Sequence, residues 1–340
     1  MSRSARATRY LLRFDDEAST CPACASPRIV LVDECGIPRD GRRRRVRLIS
    51  GCRDCGLLFS NPQPRPEQLA AFYSEGGEWA ARHAERRRWL EARTRRNLSG
   101  KKRLKGRGKR DVLFDAIAPY APVHAPPSGA SALDFGCGDG KMLDWLQGRG
   151  WETYGIEPSM DVAFIRHRRL SSPPQDQRFG LIIVNHVLEH TGDPLGVLHQ
   201  IAGALRDDGT LFVSVPGVDA LPEHGDFRYC VNGTNHPLCF SETCLRGLLA
   251  RASLAVTARL NSQELDDAFT QGRPLRLRLL AARAAVPPGL PDRPLNPAIR
   301  ALALHAQRQG GLRERVRRLL PVRLRAALTA SSRERKTAPA

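Results

Sequence analysis

Short apolar segments alternate with longer segments of mixed character through the middle of the chain. Four of the apolar segments are predicted to be buried strands, at residues 131–135, 153–157, 181–185 and 211–215. The segments between them are predicted to be largely helical. Because strands that alternate with helices form parallel sheets with right-handed crossovers, the pattern predicts an α/β fold with a mostly parallel sheet.

The same patterning divides the chain into four parts. They are a small module at 1–75, a basic helical segment with a proline-rich linker at 76–125, the α/β domain at 126–285 and a basic helical tail at 286–340. Leucines and arginines interleave in the tail, which is typical of an amphipathic helix packed on the core or lying on an anionic membrane surface. The end of the tail, at 331–340, is expected to be disordered.

A glycine-rich turn, with the sequence LDFGCGDG, begins at Leu133 and directly follows the first strand of the α/β domain. In a βαβ unit such a turn lets the backbone approach a nucleoside-bearing ligand, and an acidic residue that ends the second strand, here Glu157, binds the ribose hydroxyls. Dinucleotide sites have the spacing G-x-G-x-x-G, which this turn lacks. Asp134 and Asp139 disfavour a pyrophosphate and suit the ammonium and sulfonium groups of S-adenosylmethionine.

Together, LDFGCGDG and the following GIEPS resemble motif I and the acidic strand of class I S-adenosylmethionine-dependent methyltransferases. FGLIIVNHVLEH, at 179–190, resembles the fourth strand of that family, and LRDDGTLFVSVP, at 205–216, resembles its fifth. The resemblance covers about residues 130–260. It implies a Rossmann-like seven-stranded sheet, closed by an antiparallel edge near 254–260 and 274–281. The cofactor-binding residues that it implies are Asp134, Gly136, Cys137, Gly138, Gly140, Glu157, Pro158 and Asn185.

One segment departs from the family pattern. About twenty residues separate Pro158 from Phe179, where the family usually fits a helix, a third strand and an acidic loop that contacts adenine. We expect a short helix at 160–170 and a third strand that is missing or vestigial. Asp176 is the only acidic residue near the position of the adenine loop.

The candidate catalytic residues are His186, Glu189 and His190, after the fourth strand, and His236, ahead of a helix predicted at 242–250. A histidine base oriented by a carboxylate suits the removal of a proton from a sugar or phenol hydroxyl. The sequence leaves two alternatives open. Some methyltransferases hold a divalent ion with E-x-x-E-H and a distant histidine, and this chain has H-x-x-E-H with His236. Glu189 and His190 also recur in the family as a structural element that positions the loop.

Four of the nine cysteines form two C-x-x-C pairs in the N-terminal module, Cys21 with Cys24 and Cys52 with Cys55. Strand-like pieces at 28–32 and 44–49 lie between the pairs. The spacing is that of a zinc ribbon, in which four thiolates complete a tetrahedron around a structural Zn²⁺. Residues 20–75 also resemble the zinc-binding preamble of bacterial methyltransferases from sugar and surface-polysaccharide pathways. The sugar C-methyltransferases among them carry a second large α/β domain, for which this chain is too short.

Composition limits the interpretation of the charge. The net charge is +19, but only six of the 54 basic residues are lysine, an arginine bias that a GC-rich genome tends to produce. The basic stretch 101–110 suits either a phosphate-bearing substrate or RNA, or is simply solvated. No apolar run reaches the length of a membrane span, and no secretory signal is recognised, so we expect a cytoplasmic protein, with contact to the inner face of the membrane through the tail.

The sequence therefore predicts a methyltransferase that uses S-adenosylmethionine to methylate a hydroxyl of a saccharide or related small metabolite. One alternative is an RNA methyltransferase that uses the zinc ribbon and the basic surface. It is disfavoured because the chain lacks an N-P-P-Y element and has few aromatic residues for base stacking. The other alternative is a non-catalytic binding module, for which the shortened segment after Glu157 is the argument.

Overall fold

In the computed structural model, the described residues are 18–37, 45–98, 108–221, 230–231, 236–271, 273, 275–284 and 299. The strands among them are β1 (Ile29–Ile37), β2 (Arg45–Cys52), β3 (Leu58–Asn61), β4 (Ser131–Phe135), β5 (Glu152–Ile156), β6 (Arg168–Arg169), β7 (Phe179–Asn185), β8 (Leu205–Pro216), β9 (Leu238–Cys239), β10 (Leu254–Arg259) and β11 (Arg276–Arg283). The helices are α1 (Pro66–Tyr73), α2 (Glu78–Arg82), α3 (Ala84–Leu98), α4 (Lys109–Ile117), α5 (Lys141–Gln147), α6 (Pro194–Ala204), α7 (Glu242–Arg251) and α8 (Gln263–Thr270). The strands form two sheets.

Seven strands form the larger sheet, in the order β10-β11-β8-β7-β4-β5-β6. Strands β6, β5, β4, β7 and β8 are parallel, whereas β11 runs antiparallel between β8 and β10. The predicted α/β fold and its antiparallel edge are therefore confirmed. The carboxyl ends of β4, β5 and β7 meet at one edge of the sheet, where ligands bind in folds of this kind.

The third strand of the family pattern is vestigial, as expected, because β6 has two residues. The helix predicted at 160–170 is wrong: a four-residue 3₁₀ helix, Val162–Ile165, stands in its place. Side-chain bonds to Asp144 on α5 hold this short connection. The Asp144 carboxylate accepts a bond of 2.6 Å from Arg166 and lies 2.8 Å from Nε2 of His167. These polar contacts add to the packing of Ala163, in the 3₁₀ helix, against Leu143 of α5.

The smaller sheet joins the N-terminal module to the α/β domain. Its order is β1-β2-β3-β9, so its last strand comes from the chain beyond β8. Phe59 on β3 and Phe240 after β9 are both fully buried in one continuous core. The Ser241 hydroxyl also donates a hydrogen bond to the carbonyl oxygen of Cys55. Because a buried phenylalanine contributes about 1.5–3 kcal/mol, this junction is a stable part of the fold.

The basic segment contains the helices α2, α3 and α4, and the described residues that follow α4, at 118–125, are not helical. Residues 101–107, the densest part of the basic stretch, lie outside the described residues. The predicted tail does as well, except for Ile299, which is buried against Gly51 of β2. The disorder predicted at 331–340 also falls outside them. Within the described part of the chain, no helix combines the length and the apolar character needed to cross a membrane.

Candidate functional site

The glycine turn after β4 has the conformation that a cofactor loop needs. Gly136, Gly138 and Gly140 have φ values of 81°, 54° and 76°, a region that side chains disfavour. The N–H groups of Gly136 and Cys137 donate to the carbonyl oxygen of Ile156, which fixes the turn to the end of β5. A Cβ at Gly138 would have no neighbour within 4 Å. The turn is therefore anchored on one side and open on the other.

Glu157 follows β5 and faces this turn, as predicted. Its carboxylate accepts a bond of 3.0 Å from the N–H of Gly138 and bonds from both the N–H and the hydroxyl of Ser159. These contacts hold the carboxylate beside the open face of the turn. The arrangement suits the recognition of ribose hydroxyls.

Asp134 is almost fully buried at the end of β4. Burial raises the pKa of its carboxyl, the negative charges of Glu157 and Asp139 add to this effect and Arg110 opposes it, so that the pKa is about 7. A concentration of acidic groups with a raised pKa favours the binding of a cation. This electrostatic character fits a sulfonium and an ammonium, and it opposes a pyrophosphate.

The remaining cofactor-binding predictions differ in their surroundings. Cys137 packs in the core with Leu143 and Ala163, and burial raises the pKa of its thiol. Its side chain therefore anchors the turn in the core. Asn185 ends β7 and is half-buried, whereas Pro158 is exposed beside Glu157. Both lie at the carboxyl edge of the sheet, where they were expected.

His186 and Glu189 form a hydrogen-bonded pair directly after β7. Nδ1 of His186 lies 2.7 Å from Oε1 of Glu189, and the glutamate side chain is fully buried. Burial opposes the ionisation of Glu189, but the hydrogen bond and the charge of His186 outweigh it and lower the pKa of the carboxyl. Nε2 of His186 and Oε2 of Glu189 have no hydrogen-bond partner among the described residues. His186 also has a φ of 58°, an uncommon conformation for a non-glycine residue, in which histidine is enriched.

His190 and His236 complete the cluster. Their rings meet edge to face with centroids 4.4 Å apart. Burial and, to a smaller extent, the charge of His190 together lower the pKa of His236 to about 4. His236 is therefore neutral near pH 7 and can accept a hydrogen bond. All four predicted catalytic residues thus lie in one region of the structure.

Tyr73 is a site residue that the sequence did not reveal. It ends α1 in the N-terminal module, and its hydroxyl lies 2.6 Å from Nδ1 of His190. The two residues are 117 positions apart, and nothing in the local pattern around Tyr73 indicates the contact. Its only sequence signal is an aromatic side chain at the end of a helix that follows the second cysteine pair.

The glycine turn and the histidine cluster lie side by side. A Cβ at Gly136 would lie 2.5 Å from Cγ2 of Val187, which stands between His186 and Glu189 in sequence. The contact places the cofactor turn against the loop that carries the candidate base. Such an arrangement can bring an activated methyl group and a nucleophile together.

Two groups of side chains have the geometry to hold a metal ion. Glu189, His190 and His236 each offer one ligand atom, and these atoms lie within 4.8 Å of one another. His186 does not belong to this set. One carboxylate and two imidazoles suit zinc, manganese or iron.

The second group is the four cysteines of the N-terminal module, whose sulfur atoms also lie within 4.8 Å of one another. The sulfurs of Cys21 and Cys55 are 3.6 Å apart, and those of Cys24 and Cys52 are 3.7 Å apart. A tetrahedron with metal–sulfur bonds of about 2.3 Å has edges of about 3.8 Å. Hydrogen bonds among the four thiols lower the pKa of Cys24 and Cys52 and raise the pKa of Cys21 and Cys55. The donors therefore fit a four-coordinate Zn²⁺.

Residues 105–259 match the model of a family described as a methyltransferase domain. The matched segment contains the glycine turn and Glu157. The sequence prediction of an S-adenosylmethionine-dependent methyltransferase is confirmed.

Individual relatives share 27% sequence identity or less with the chain in the matches described next. The chain is 27% identical over 159 residues to a ubiquinone biosynthesis O-methyltransferase of Xanthomonas campestris pv. campestris, a match that spans 36% of this chain and 66% of that protein. A mitochondrial enzyme of the same name from Bos taurus is 27% identical over 124 residues, which cover 31% of this chain and 33% of that enzyme. Among solved structures, a 1,6-didemethyltoxoflavin-N1-methyltransferase of Burkholderia thailandensis with bound S-adenosylhomocysteine has 18% identity and a TM-score of 0.44. That match covers 73% of this chain and 99% of that one.

Proposed function

We propose that the protein transfers a methyl group from S-adenosylmethionine to a hydroxyl of a saccharide or related small metabolite. The observation that carries the proposal is the His186–Glu189 pair beside the glycine turn. The curated relatives are named O-methyltransferases, which supports a hydroxyl acceptor. The resemblance of the cysteine module to that of sugar-pathway methyltransferases supports a saccharide.

S-adenosylmethionine supplies, when bound, a methyl group activated by the adjacent sulfonium. On the protein side, Glu157 is placed to accept the ribose hydroxyls, and the open face of Gly138 leaves room for close approach. Asp134 and Asp139 supply negative charge near the turn. The chain must still remove the proton of the acceptor hydroxyl.

His186 is the best-placed base for that proton. The Glu189 carboxylate accepts the bond from Nδ1–H of His186, which leaves the Nε2 lone pair to take the proton. The buried negative charge of Glu189 then stabilises the imidazolium that forms. His190, held by Tyr73, and the neutral His236 are placed to accept hydrogen bonds from the acceptor. A pair of this kind contributes about 10²- to 10⁴-fold to a rate.

A metal-assisted version of the same reaction is the second candidate, favoured by the proximity of Glu189, His190 and His236. Manganese(II) is a suitable probe because it prefers oxygen and nitrogen donors to thiolates, which separates this site from the cysteine cluster. Paramagnetic resonance of the zinc-loaded protein would detect one manganese site that His236→Ala removes. The control is His199→Ala, on the exposed face of α6. If no manganese binds, the metal-assisted version is contradicted, and the reaction without a metal, with His186 as the base, is favoured.

We further propose that the cysteine cluster holds a structural Zn²⁺. Four thiolates fill all coordination positions, so the ion would support folding and take no part in methyl transfer. The sulfur–sulfur distances and the burial of three of the four thiols support this role.

Calorimetric titration with S-adenosylmethionine tests the proposed function. We expect micromolar binding that Glu157→Ala weakens at least about tenfold, since the carboxylate that holds the ribose is lost. Glu152→Ala is the matched control, because Glu152 lies at the opposite end of β5 and is exposed. Failure of the folded protein to bind the cofactor would favour the non-catalytic binding module instead.

A further inference from the structure

A cavity of about 290 Å³ opens between the N-terminal module and the α/β domain. Pro66, Leu69 and Tyr73 of α1 form one wall, and Val197 of α6 lies opposite. His190 lies in the wall, so the cavity reaches the catalytic cluster. Its volume is close to the lower end of the range for small-molecule sites, about 300–1,000 Å³.

The two walls meet closely at one point. A Cβ at Gly192 would lie 3.1 Å from Cβ of Pro66, so the backbone before α6 approaches α1 as nearly as a glycine allows. The module therefore contributes one side of the cavity and is in direct contact with the other. Because Tyr73 also bonds to His190, a ligand in the cavity would be in contact with both α1 and the histidine cluster.

The charge of the cavity differs from that of the whole chain. Of its described lining residues, Asp193 alone carries a formal charge, and neither lysine nor arginine is among them. The whole chain, in contrast, has a net charge of +19. The other lining groups are aliphatic side chains, small residues and neutral hydrogen-bonding groups such as Thr191 and Gln200. A phosphate placed here would lie near Asp193, and the described lining offers neither lysine nor arginine to bind it.

We propose that this cavity binds the methyl acceptor, and that the acceptor is an uncharged, partly apolar molecule with a hydroxyl group. This inference rests on the proposed function and narrows its substrate class. The apolar part of the acceptor packs against Leu69 and Val197. Its hydroxyl contacts His190, the histidine of the cluster that lines the cavity. Sugar nucleotides and RNA are disfavoured as acceptors at this site because each brings phosphate to a wall whose described residues include an aspartate and neither lysine nor arginine.

The test measures binding by calorimetry in the presence of S-adenosylhomocysteine. The probes are phenol, catechol and phenyl β-D-glucoside, each compared with its phosphate monoester. We expect neutral probes to bind at millimolar concentration and about tenfold or more tightly than their monoesters. Equal or tighter binding of the monoesters, or no binding of any neutral probe, would overturn the inference.

Matched variants place the binding in this cavity. Ala70 lines the cavity and is exposed, so Ala70→Phe fills the space without disturbing the core. It should weaken neutral probes about tenfold, whereas Ala71→Phe, on an exposed position outside the lining, should not. Gln200→Lys adds a cation to the wall and should shift the preference toward the monoesters. Equal binding by the Ala70 and Ala71 variants would refute the location.

The titration also separates this inference from the proposed function. S-adenosylhomocysteine binding is measured in the same samples before the probes are added. If S-adenosylhomocysteine does not bind, the proposed methyltransferase site itself is contradicted. If the nucleoside binds normally and the neutral probes do not, only the assignment of the cavity fails.

Discussion

The two sides of the proposed cleft are built from very different stretches of chain. The cofactor side comes from one βαβ unit, in which Asp134, the glycine turn and Glu157 lie within 24 positions of one another. The acceptor side brings together Tyr73 of the N-terminal module, the His186–His190 segment and His236 next to β9. One side is therefore fixed by local geometry, whereas the other depends on how the two sheets dock.

The cysteine cluster is linked to the acceptor side through the strands of the smaller sheet. The second cysteine pair begins at the last residue of β2 and precedes β3. Strand β3 leads to α1 with Tyr73, and β9, after His236, pairs with β3. A structural metal would stabilise the smaller sheet, whose strands β3 and β9 position Tyr73 and His236. Damage to the cluster should consequently affect the acceptor side and leave the cofactor side intact, which gives a way to test the comparison.

The largest expected effect is that of Cys52→Ser. Loss of one of four thiolates should abolish zinc binding and lower the free energy of unfolding by roughly 5 kcal/mol or more, since the binding energy of a structural metal is folding energy. Chemical denaturation and metal analysis measure both quantities. Cys137→Ala, at a buried thiol outside the cluster, is the control and should retain one zinc per chain. An unchanged stability after Cys52→Ser would show that the cluster does not support the module.

The next effect concerns chemistry alone. Glu189→Gln removes the charge that orients His186 and stabilises its imidazolium, so we expect kcat to fall about 10²- to 10⁴-fold. Cofactor affinity should stay the same, because Glu189 lies on the acceptor side. Steady-state kinetics and calorimetry on one preparation measure the two quantities, with Glu67→Gln on the exposed face of α1 as control. A parallel loss of cofactor binding would contradict the division into two sides.

A smaller effect is expected from Tyr73→Phe. The change removes the hydroxyl that bonds to Nδ1 of His190 but keeps the ring contact with it. We expect kcat to fall about tenfold and stability to fall by about 1 kcal/mol, the usual value of one hydrogen bond. The pH profile of kcat should also shift, which a purely structural role would not produce. Tyr120→Phe, at an exposed tyrosine, serves as the control.

The division also explains what could be predicted from the sequence. The glycine turn, Glu157 and the central strands follow from local patterns, and the structure bears out the turn and the mostly parallel sheet. The helix at 160–170 was wrong because its residues form bonds to α5 that no local pattern reveals. Tyr73 was missed for a similar reason, since its contact with His190 depends on the docking of α1 beside α6. His186, Glu189 and His190 were predictable as neighbours, but the hydrogen bond within the pair depends on the left-handed turn at His186.

The smallest expected effect tests the cofactor side by itself. Asp134 has a pKa raised to about 7, so it is mostly protonated at about pH 6 and mostly ionised at about pH 8. A bound sulfonium favours the ionised carboxyl, and affinity for S-adenosylmethionine should therefore rise with pH through this range, by a few-fold and at most about tenfold. S-adenosylhomocysteine has no sulfonium and should show a shallower change, and Asp134→Asn should flatten the profile of the methyl donor. Calorimetry at each pH decides the matter, because equal slopes for both nucleosides would mean that Asp134 does not respond to the charge of the methyl donor. Glu189→Gln should leave this profile unchanged if the two sides of the cleft act independently.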